Sequence, residues 1–307
     1  MRATWLSRRR LLLPASGRLP GGIWMHGACR PLPVLANTIA GHLSRLSVRL
    51  VPAGAAEVAL PFDESELGEI LARVPQLEME RPWVVMRPTD ARRSRVMILG
   101  LDERRRPLVF VKATLDRPNQ LALDVLERCK EVVPGFVVPR IEAVFQTGRW
   151  WLTVEEPLPQ LAHRPARLRA DETHRLVETI HGYSSDGPLV LAHGDLGPWN
   201  LRRFSDGRLA VIDWEYAHHA PVACDEIWFA VTRRLATTRQ DGHQAGAAAR
   251  SELAGLYADE DIAEAVAFIV AGRSGPEPDE VRDDVERSQS LLDFEDRLSA
   301  ALTALAG

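Results

Sequence analysis

Two carboxylates and one carboxamide in this sequence have a spacing that suits a metal ion. Asp195 and Asn200 lie five residues apart in a polar stretch, and Asp213 follows after an apolar hairpin pattern. If the hairpin folds back on itself, the three side chains converge, and each of them offers a hard oxygen atom. Mg²⁺ binds one or two protein carboxylates and fills its remaining positions with water and phosphate oxygens. The sequence therefore predicts a magnesium site at this point.

Short apolar runs and turn residues predict the elements that position these side chains. Pro198 cannot continue a sheet ladder, which indicates a loop before the hairpin. Strands are expected at 189–192, 201–204 and 209–212, joined by a loop at 193–199 and a turn at 205–207. Asp213 then comes at the far end of the last strand. A plain hairpin with an Asx-turn would explain any one of the three polar residues, but not the ordered set.

The stretches HGDLGPWN and VIDWEYA resemble the aminoglycoside phosphotransferase and choline-kinase superfamily, small-molecule kinases with a protein-kinase-like fold. The resemblance rests on His193, Gly194, Asp195, Pro198, Asn200, Asp213, Trp214 and Glu215, and more weakly on Pro221 and Asp225. It implies that Asp195 orients or deprotonates the acceptor hydroxyl, whereas Asn200 and Asp213 hold Mg²⁺. It also implies that His193 braces the loop and that Asp225 ties the loop down.

The composition is that of an ordinary globular protein. Of 307 residues, 46% are hydrophobic and 26% are charged, and the net charge is -4, which indicates no preference for nucleic acid. No apolar run is long enough to span a bilayer, and the run after Arg8-Arg9-Arg10 is too short for an export signal. Cys29, Cys129 and Cys224 show no metal-ligand spacing and predict buried free thiols. We therefore expect a cytoplasmic protein with neither a nucleic-acid nor a membrane partner.

Lys112 is one of two lysines in the chain, the other being Lys130. It lies in the last of three short strands that predict an antiparallel meander. These strands are expected at 83–86, 95–99 and 108–113. A lysine in an apolar strand needs a charged partner or solvent. The resemblance implies that Lys112 contacts the α- and β-phosphates of the nucleotide, and an ordinary edge-facing lysine is the alternative.

A helix predicted at 119–131 follows the meander. In kinase-like folds a helix here offers a glutamate to the strand lysine. Spacing favours Glu127 for this contact, and Glu131 is the second candidate. Either residue would also be ordinary as an exposed helical acid.

The turn at residues 87–95 contains no glycine, although protein kinases carry a glycine-rich loop there. Backbone amides approach phosphates less closely when side chains intervene. We therefore expect Arg92, Arg93 or Ser94 to contact phosphate, with a solvated charged turn as the alternative.

Glu155 and Glu156 end the strand pattern and begin a proline-containing stretch that marks the expected interlobe hinge. The resemblance implies that backbone groups here pair with the base of ATP or GTP. The expected domains are residues 1–154, a nucleotide-binding lobe with an N-terminal extension, and residues 155–307, a catalytic and acceptor-binding lobe. Within the extension, the spacing of three apolar residues predicts a helix that ends near residue 73.

Residues 250–307 contain 14 acidic residues against five arginines. In the superfamily that this chain resembles, the acceptor lies between the catalytic loop and C-terminal helices. Acidic residues there would favour a cationic acceptor, whereas a solvated acidic helical face is the alternative.

The sequence thus predicts an α+β, two-lobed, protein-kinase-like fold with a small antiparallel-sheet N-lobe and a mainly helical C-lobe. The implied function is Mg²⁺-dependent transfer of the γ-phosphoryl group of ATP or GTP to a hydroxyl of a small molecule. The acceptor is aminoglycoside-like in the first interpretation and a choline or a sugar in the second. A nucleotide-binding pseudokinase scaffold without turnover is the non-enzymatic alternative.

Overall fold

The computed structural model of the protein describes residues 2–6, 11–14, 56–57, 62–77, 83–86, 95–102, 107–129, 136–158, 163–166, 168–237, 240–273 and 289–306. The chain divides into two compact units. The first combines Met1–Pro118 with Val138–Ala162, and the second combines Asn119–Val137 with His163–Gly307. Residues 119–137, which we expected in the N-terminal lobe, therefore cluster with the second unit, and residues 155–162 cluster with the first.

Strands are the more numerous elements among the described residues. They are β1 (Arg2–Leu6), β2 (Leu11–Pro14), β3 (Ala56–Glu57), β4 (Trp83–Met86), β5 (Arg95–Leu101), β6 (Pro107–Thr114), β7 (Phe136–Val137), β8 (Ile141–Thr147), β9 (Trp150–Glu155), β10 (His163–Pro165), β11 (Ser185–Asp186), β12 (Leu189–Ala192), β13 (Leu201–Phe204), β14 (Leu209–Val211) and β15 (His218–Ala220). The strands predicted on both sides of the 193–199 loop and in the meander are confirmed.

The described helices lie mostly in the second half of the chain. They are α1 (Glu64–Arg73), α2 (Gln120–Arg128), α3 (Ala170–His181), α4 (Cys224–Thr237), α5 (Gly242–Leu253), α6 (Asp259–Arg273) and α7 (Gln289–Ala306). None of these helices combines the length and apolar content that crossing a membrane requires.

The first unit is built on one eight-stranded antiparallel sheet with the order β3-β1-β2-β4-β5-β6-β9-β8. The predicted meander forms its middle, and the N-terminal strands extend it on one side. In β6 the residues alternate between buried and half-buried positions, as expected when one face of a strand lies on a core. That alternation places Lys112 on the face opposite to the buried Val111 and Ala113.

Helix α1 packs its apolar stripe against this sheet. Asp63 and Glu66 form a capping box at its N-terminus, which satisfies two backbone N–H groups that the helix leaves unpaired. Ile70 is fully buried in a cluster with Ile98 and Leu152 of the sheet. The helix predicted to end near residue 73 is confirmed.

The second unit holds two small sheets and six of the described helices. One sheet has the order β10-β13-β14-β7, in which β7 runs parallel to β14. The other has the order β11-β12-β15. In this sheet Ala192, the last residue of β12, pairs with His218, the first residue of β15. The strand that leads into residue 193 is therefore bonded directly to the strand that follows residue 217.

Helix α4 lies in the hydrophobic core of the second unit. Ile227 and Val231 of this helix are fully buried in a cluster that also contains residues of α5, α6 and α7. Cys224 at its start is a buried free thiol, and so is Cys129. Burial raises the pKa of Cys129 to about 11 and that of Cys224 to about 12, which keeps both thiols protonated at neutral pH. Cys29 lies outside the described residues.

Candidate active site

A buried aspartate binds the backbone of the loop that follows β12. Asp225, in the first turn of α4 and 1% exposed, accepts hydrogen bonds from the backbone N–H groups of His193 (2.7 Å) and Gly194 (3.1 Å). Burial raises the pKa of Asp225, whereas these two backbone donors act in the opposite direction. The carboxylate at the helix start therefore binds loop amides and anchors the chain as it leaves β12.

Gly194 is required by both its backbone and its surroundings. Its φ is +79°, in a region that residues with a side chain rarely adopt. A Cβ atom at this position would lie 2.2 Å from the carbonyl oxygen of Tyr216. No other residue type fits here, which explains the glycine between the histidine and the aspartate of the motif.

His193 connects this loop to the end of the hairpin. Its side chain is buried, its Nδ1 accepts from the Asp195 N–H (3.3 Å), and its Nε2 lies 3.0 Å from the carbonyl oxygen of Ile212. Because Nδ1 is the acceptor, this arrangement calls for the neutral tautomer with the proton on Nε2. The ring also packs on Trp214, with 4.7 Å between ring centroids. These contacts are those expected of a residue that braces the loop.

The carboxylate of Asp195 receives three side-chain N–H donors. Trp228 Nε1 donates to Oδ1 (3.0 Å), and Trp199 Nε1 donates to Oδ2 (3.2 Å). Asn200 Nδ2 also donates to Oδ2 (3.1 Å) and to the Asp195 backbone oxygen (2.8 Å). Since the amide nitrogen of Asn200 is committed to Asp195, the amide oxygen is directed away from that carboxylate. The amide oxygen is therefore the atom of Asn200 that could bind a metal ion.

Asp213 has an unusual backbone conformation. Its φ is +67° and its ψ is 56°, and it is the one residue other than glycine with a positive φ in the described part of the chain. Such a conformation costs about 1–2 kcal/mol for a residue with a side chain, and such outliers concentrate at functional sites. The Ile212 N–H donates to the Asn200 carbonyl oxygen (3.0 Å), so Asp213 lies one residue from a direct backbone bond to Asn200.

The donor chemistry of this group fits Mg²⁺. It offers the carboxylates of Asp195 and Asp213 and the carboxamide oxygen of Asn200, all of which are hard oxygen donors. The described residues contain no cluster of three or more His, Cys, Asp or Glu side chains that would hold a metal. If Mg²⁺ binds here, Asn200 and Asp213 are the residues that could hold it, and water and phosphate oxygens would fill the rest of its shell.

Lys112 lies in the sheet of the first unit and pairs with Glu155. The Lys112 Nζ is 3.1 Å from Glu155 Oε1, and the two side chains are only 16% and 8% exposed. They meet because β6 and β9 are neighbours, with Lys112 opposite Thr153, two residues before Glu155. Sequence reasoning missed this pair, since it connects two strands that are distant in sequence. Glu127, the partner favoured by spacing, is exposed on α2 in the second unit, and its role stays a prediction.

The other predicted nucleotide contacts are Glu156, Arg92 and Arg93. Glu156 is exposed, and its backbone N–H donates to the carbonyl oxygen of Arg140 (2.8 Å). A base contact at Glu156 therefore stays a prediction, with its N–H already paired. Arg92 and Arg93 lie outside the described residues, as does Glu131.

Trp228 and Trp199 are site residues that sequence reasoning did not single out. Trp228 comes three residues after Asp225 on α4, so both lie on one helix face. The expectation that Asp225 contacts the loop should therefore have included Trp228. Trp199 lies inside the motif itself, one residue before Asn200, but its side-chain contact depends on how the turn at Pro198–Asn200 folds.

A second buried acid follows Asp225 directly. Glu226 Oε1 lies 2.6 Å from His174 Nδ1 on α3, and Glu226 Oε2 accepts from the hydroxyl of Tyr257. Burial raises the pKa of Glu226 to about 7, although the hydrogen bond from His174 acts against this. Asp225 and Glu226 thus face different partners, the catalytic loop for the former and the α3 helix for the latter.

Known proteins resemble this chain in sequence pattern and in fold. The model of the phosphotransferase enzyme family matches residues 39–264. No curated protein sequence matches the chain. Among solved structures, a spectinomycin phosphotransferase in complex with ADP and spectinomycin is similar, with 11% identity, a TM-score of 0.52, and coverage of 81% of this chain and 100% of the other.

A choline kinase from Streptococcus pneumoniae is also similar, at 14% identity, a TM-score of 0.39, and coverage of 69% of this chain and 89% of the other. At these identities structural likeness shows the fold alone, and the first structure confirms the α+β, two-lobed, kinase-like fold. Because the family model spans more than half of its length, the chain belongs to the phosphotransferase enzyme family.

Proposed function

We propose that the protein transfers the γ-phosphoryl group of ATP or GTP to a hydroxyl group of a small molecule in a Mg²⁺-dependent reaction. The observation that carries this proposal is the orientation of Asn200, whose amide nitrogen is bonded to Asp195 at both the carboxylate and the backbone. Its oxygen is thereby available as a ligand beside a second carboxylate, Asp213, that adopts a strained backbone conformation.

In the proposed reaction Asp195 acts on the acceptor. Its carboxylate accepts a hydrogen bond from the acceptor hydroxyl, orients the oxygen toward the phosphoryl group, and takes the proton as the new O–P bond forms. The bond between the γ-phosphorus and the oxygen that bridges to the β-phosphate breaks in the same transfer, and ADP or GDP leaves. The loop is suited to this task because Asp225 and His193 fix its backbone. Catalysis is then mainly a matter of positioning and of electrostatic stabilisation.

Asn200 and Asp213 are the proposed Mg²⁺ ligands. The ion, when bound, would neutralise negative charge on the phosphate oxygens of the nucleotide. The protein contributes two ligands from different strand ends, joined by the backbone bond between Ile212 and Asn200. This bond keeps the spacing of the two ligands independent of the exposed hairpin turn.

Lys112 is proposed to contact the α- and β-phosphates, with Glu155 as the carboxylate that orients it. The ion pair between them supports this assignment, because a lysine that is 16% exposed needs a compensating charge. Arg92 and Arg93 are proposed as further phosphate contacts, since the 87–95 turn has no glycine. For Glu127, a contact to the nucleotide-binding lysine remains the proposal from spacing.

The acceptor is proposed to be a small molecule of the kind used by aminoglycoside phosphotransferases, with choline or a sugar as the second candidate. The acidic side chains Asp259, Glu260 and Glu264 of α6 are exposed, which favours the interpretation of a solvated face. Cationic charge on the acceptor is therefore not a requirement of this proposal.

The test measures ADP or GDP release with Mg·ATP and Mg·GTP against a panel of hydroxyl compounds that includes spectinomycin, streptomycin, choline and sugars. Acceptor-dependent release in the wild-type protein that disappears in Asp195→Asn supports the proposal. Tight nucleotide binding without release for any acceptor would favour the pseudokinase scaffold. No binding of either nucleotide would overturn both functions.

A further inference from the structure

Two indole groups from different elements converge on the same carboxylate. Trp199 belongs to the turn at Pro198–Asn200, and Trp228 belongs to α4. Their Nε1–H groups bind different oxygens of Asp195, at 3.2 Å for Trp199 and 3.0 Å for Trp228. The carboxylate is thus held at both oxygens by groups that approach from the loop and from the core.

The Trp199 indole is confined to its place by its neighbours. A Cβ atom on Gly197 would lie 2.3 Å from its Cε2 atom, so the ring folds directly over a residue that has no side chain. Its other side meets Phe294 of α7 edge to face, with 6.2 Å between centroids and 73° between planes. Both contacts restrict the ring, so its N–H is presented to Asp195 in a defined direction.

The Trp228 indole is fixed by a helix that already touches the loop. It packs against the helical core of the second unit and lies one turn after Asp225, which binds the backbone N–H groups of His193 and Gly194. Helix α4 therefore contacts the loop twice, once at the backbone before Asp195 and once at the Asp195 side chain. This double contact fixes the position of the loop and the direction of its carboxylate together.

The chemistry of the donors determines what such contacts do. The last torsion of an aspartate side chain has a broad, two-fold preference, so the carboxylate plane is poorly defined without partners. A donor on each oxygen restricts that plane: Trp228 donates to Oδ1, and both Trp199 and Asn200 donate to Oδ2. Indole N–H groups donate and never accept, so they hold the carboxylate without competing for the proton that it receives. A histidine or serine at either position could also accept a hydrogen bond, and could therefore compete for that proton.

We propose that Trp199 and Trp228 are positioning residues that fix the plane of the Asp195 carboxylate for the acceptor hydroxyl. Their effect on turnover rests on the proposed function, whereas the contacts themselves do not. The competing explanation is that both rings only fill space. Phenylalanine keeps an aromatic ring at each position and removes the N–H, and therefore separates the two explanations.

The kinetic test compares Trp199→Phe and Trp228→Phe with Trp150→Phe. Trp150 is a suitable control because its buried Nε1 has no hydrogen-bond partner among the described residues and its ring packs on Phe62 in the first unit. With the best acceptor of the panel, we expect kcat to fall on the order of tenfold for Trp228→Phe, because hydrogen bonds to charged groups are worth more than neutral ones. The loss should be smaller for Trp199→Phe, because Asn200 Nδ2 still donates to the same oxygen. The KM for Mg·ATP and the kcat of Trp150→Phe should not change.

The same substitutions are then made in the Asp195→Asn protein. If the indoles act through the carboxylate, the second substitution should cost less than about twofold there, since groups that act as a unit are not additive. An equal loss of kcat in both backgrounds would overturn the proposal and assign the rings a packing role. Wild-type kcat in both phenylalanine variants would overturn it as well.

A readout without turnover tests the contacts directly. The chain has 8 tryptophans, and their indole N–H resonances in ¹⁵N-labelled protein are assigned by the phenylalanine variants. Asp195→Ala removes the acceptor, so the Trp199 and Trp228 resonances should shift upfield and exchange faster, while that of Trp150 stays in place. Unmoved Trp199 and Trp228 resonances would overturn the proposal, even if no acceptor is phosphorylated and the proposed function itself fails.

Discussion

The 193–199 loop of the second unit and strand β6 of the first unit hold the side chains of Asp195 and Lys112 in different ways. Asp195 is bonded through its backbone to His193 and through its carboxylate to Trp199, Asn200 and Trp228. Lys112, by contrast, is oriented by an ion pair with Glu155 from the neighbouring strand. The first arrangement is a hydrogen-bond network formed by residues of the loop, of the turn before the hairpin and of a helix. The second is a pair set by the register of one sheet.

The two arrangements differ in whether their contacts join neighbouring or distant parts of the chain. The loop network is largely local, because His193, Asp195, Trp199 and Asn200 lie within eight consecutive residues. The lysine pair depends on β6 lying next to β9, which only the folded sheet establishes. We therefore expect the loop to respond to substitution mainly through activity, and the pair mainly through stability.

The strongest test of the loop is Asp195→Asn. Because the carboxylate is proposed to act on the acceptor hydroxyl, we expect the rate of phosphoryl transfer to fall by about 10²–10⁴-fold, the range of general-base contributions. Affinity for Mg·ATP should remain near that of the wild type, as measured by calorimetric titration. Near wild-type turnover of this variant on its true acceptor would remove Asp195 from the chemistry and end the comparison.

The matching test of the strand is Lys112→Ala. It leaves the Glu155 carboxylate buried without its cation, and we expect a loss of about 3–5 kcal/mol in the free energy of unfolding. ATP binding should weaken much more than adenosine binding, because adenosine has no phosphates to contact. Urea unfolding and nucleotide titration measure the two effects separately.

The double variant Lys112→Met with Glu155→Leu is the control. It removes both charges and should recover stability without recovering ATP affinity. Equal weakening of ATP and adenosine in Lys112→Ala would instead indicate a folding defect, and the lysine would then be structural.

Glu226, the residue after the loop anchor Asp225, leads to a smaller and pH-dependent prediction. The pKa of Glu226 is raised from 4.5 to about 7 in the folded protein, so the folded state binds a proton more tightly than the unfolded state. This contribution to stability is present at low pH and is lost as the pH rises from about 4.5 to about 7. We expect Glu226→Gln to reduce the loss of unfolding free energy between pH 5 and pH 8 by about 3 kcal/mol.

Glu260→Gln is the control, since Glu260 is an exposed acid on α6 and is not one of the groups that shift the pKa of Glu226. Thermal or urea unfolding at a series of pH values provides the measurement. An identical pH dependence in wild type and Glu226→Gln would mean that the acid is charged throughout. His181 has the opposite effect on the pH dependence of stability. Burial lowers its pKa from 6.5 to about 4, so its contribution to the free energy of unfolding is lost as the pH falls from about 6.5 to about 4.

The smallest expected effect separates the two proposed metal ligands. Asp213→Ala should raise the Mg²⁺ concentration needed for nucleotide binding by about tenfold more than Asn200→Ala does, since a carboxylate binds a divalent cation more strongly than a neutral amide. Titration of Mg²⁺ at fixed ATP measures this ratio. The reverse order would exchange the roles of the two residues.

The sequence was sufficient for features that depend on neighbours along the chain. The order of strand, loop and hairpin around Asp195 follows from apolar runs and Pro198, and helix α1 follows from the spacing of its apolar residues. The features that it did not reveal are tertiary. Glu155 became the partner of Lys112 through strand register. Residues 119–137 cluster with the second unit because β7 pairs with β14, a strand more than sixty residues further along the chain.

The pairing of Ala192 with His218 has a consequence for how the enzyme can change over evolution. The segment 193–217 begins after Ala192 and ends before His218, and these two residues pair directly between β12 and β15. The two ends of the segment are therefore held side by side by a backbone pair. Asn119 secures the closing end through the carbonyl oxygens of Glu215 and Ala217. Lengthening its exposed turn at 205–208 costs little, because loop-closure entropy grows slowly with length. The turn is therefore the part of this segment that can change in length during evolution without altering the strand pairs on either side of it.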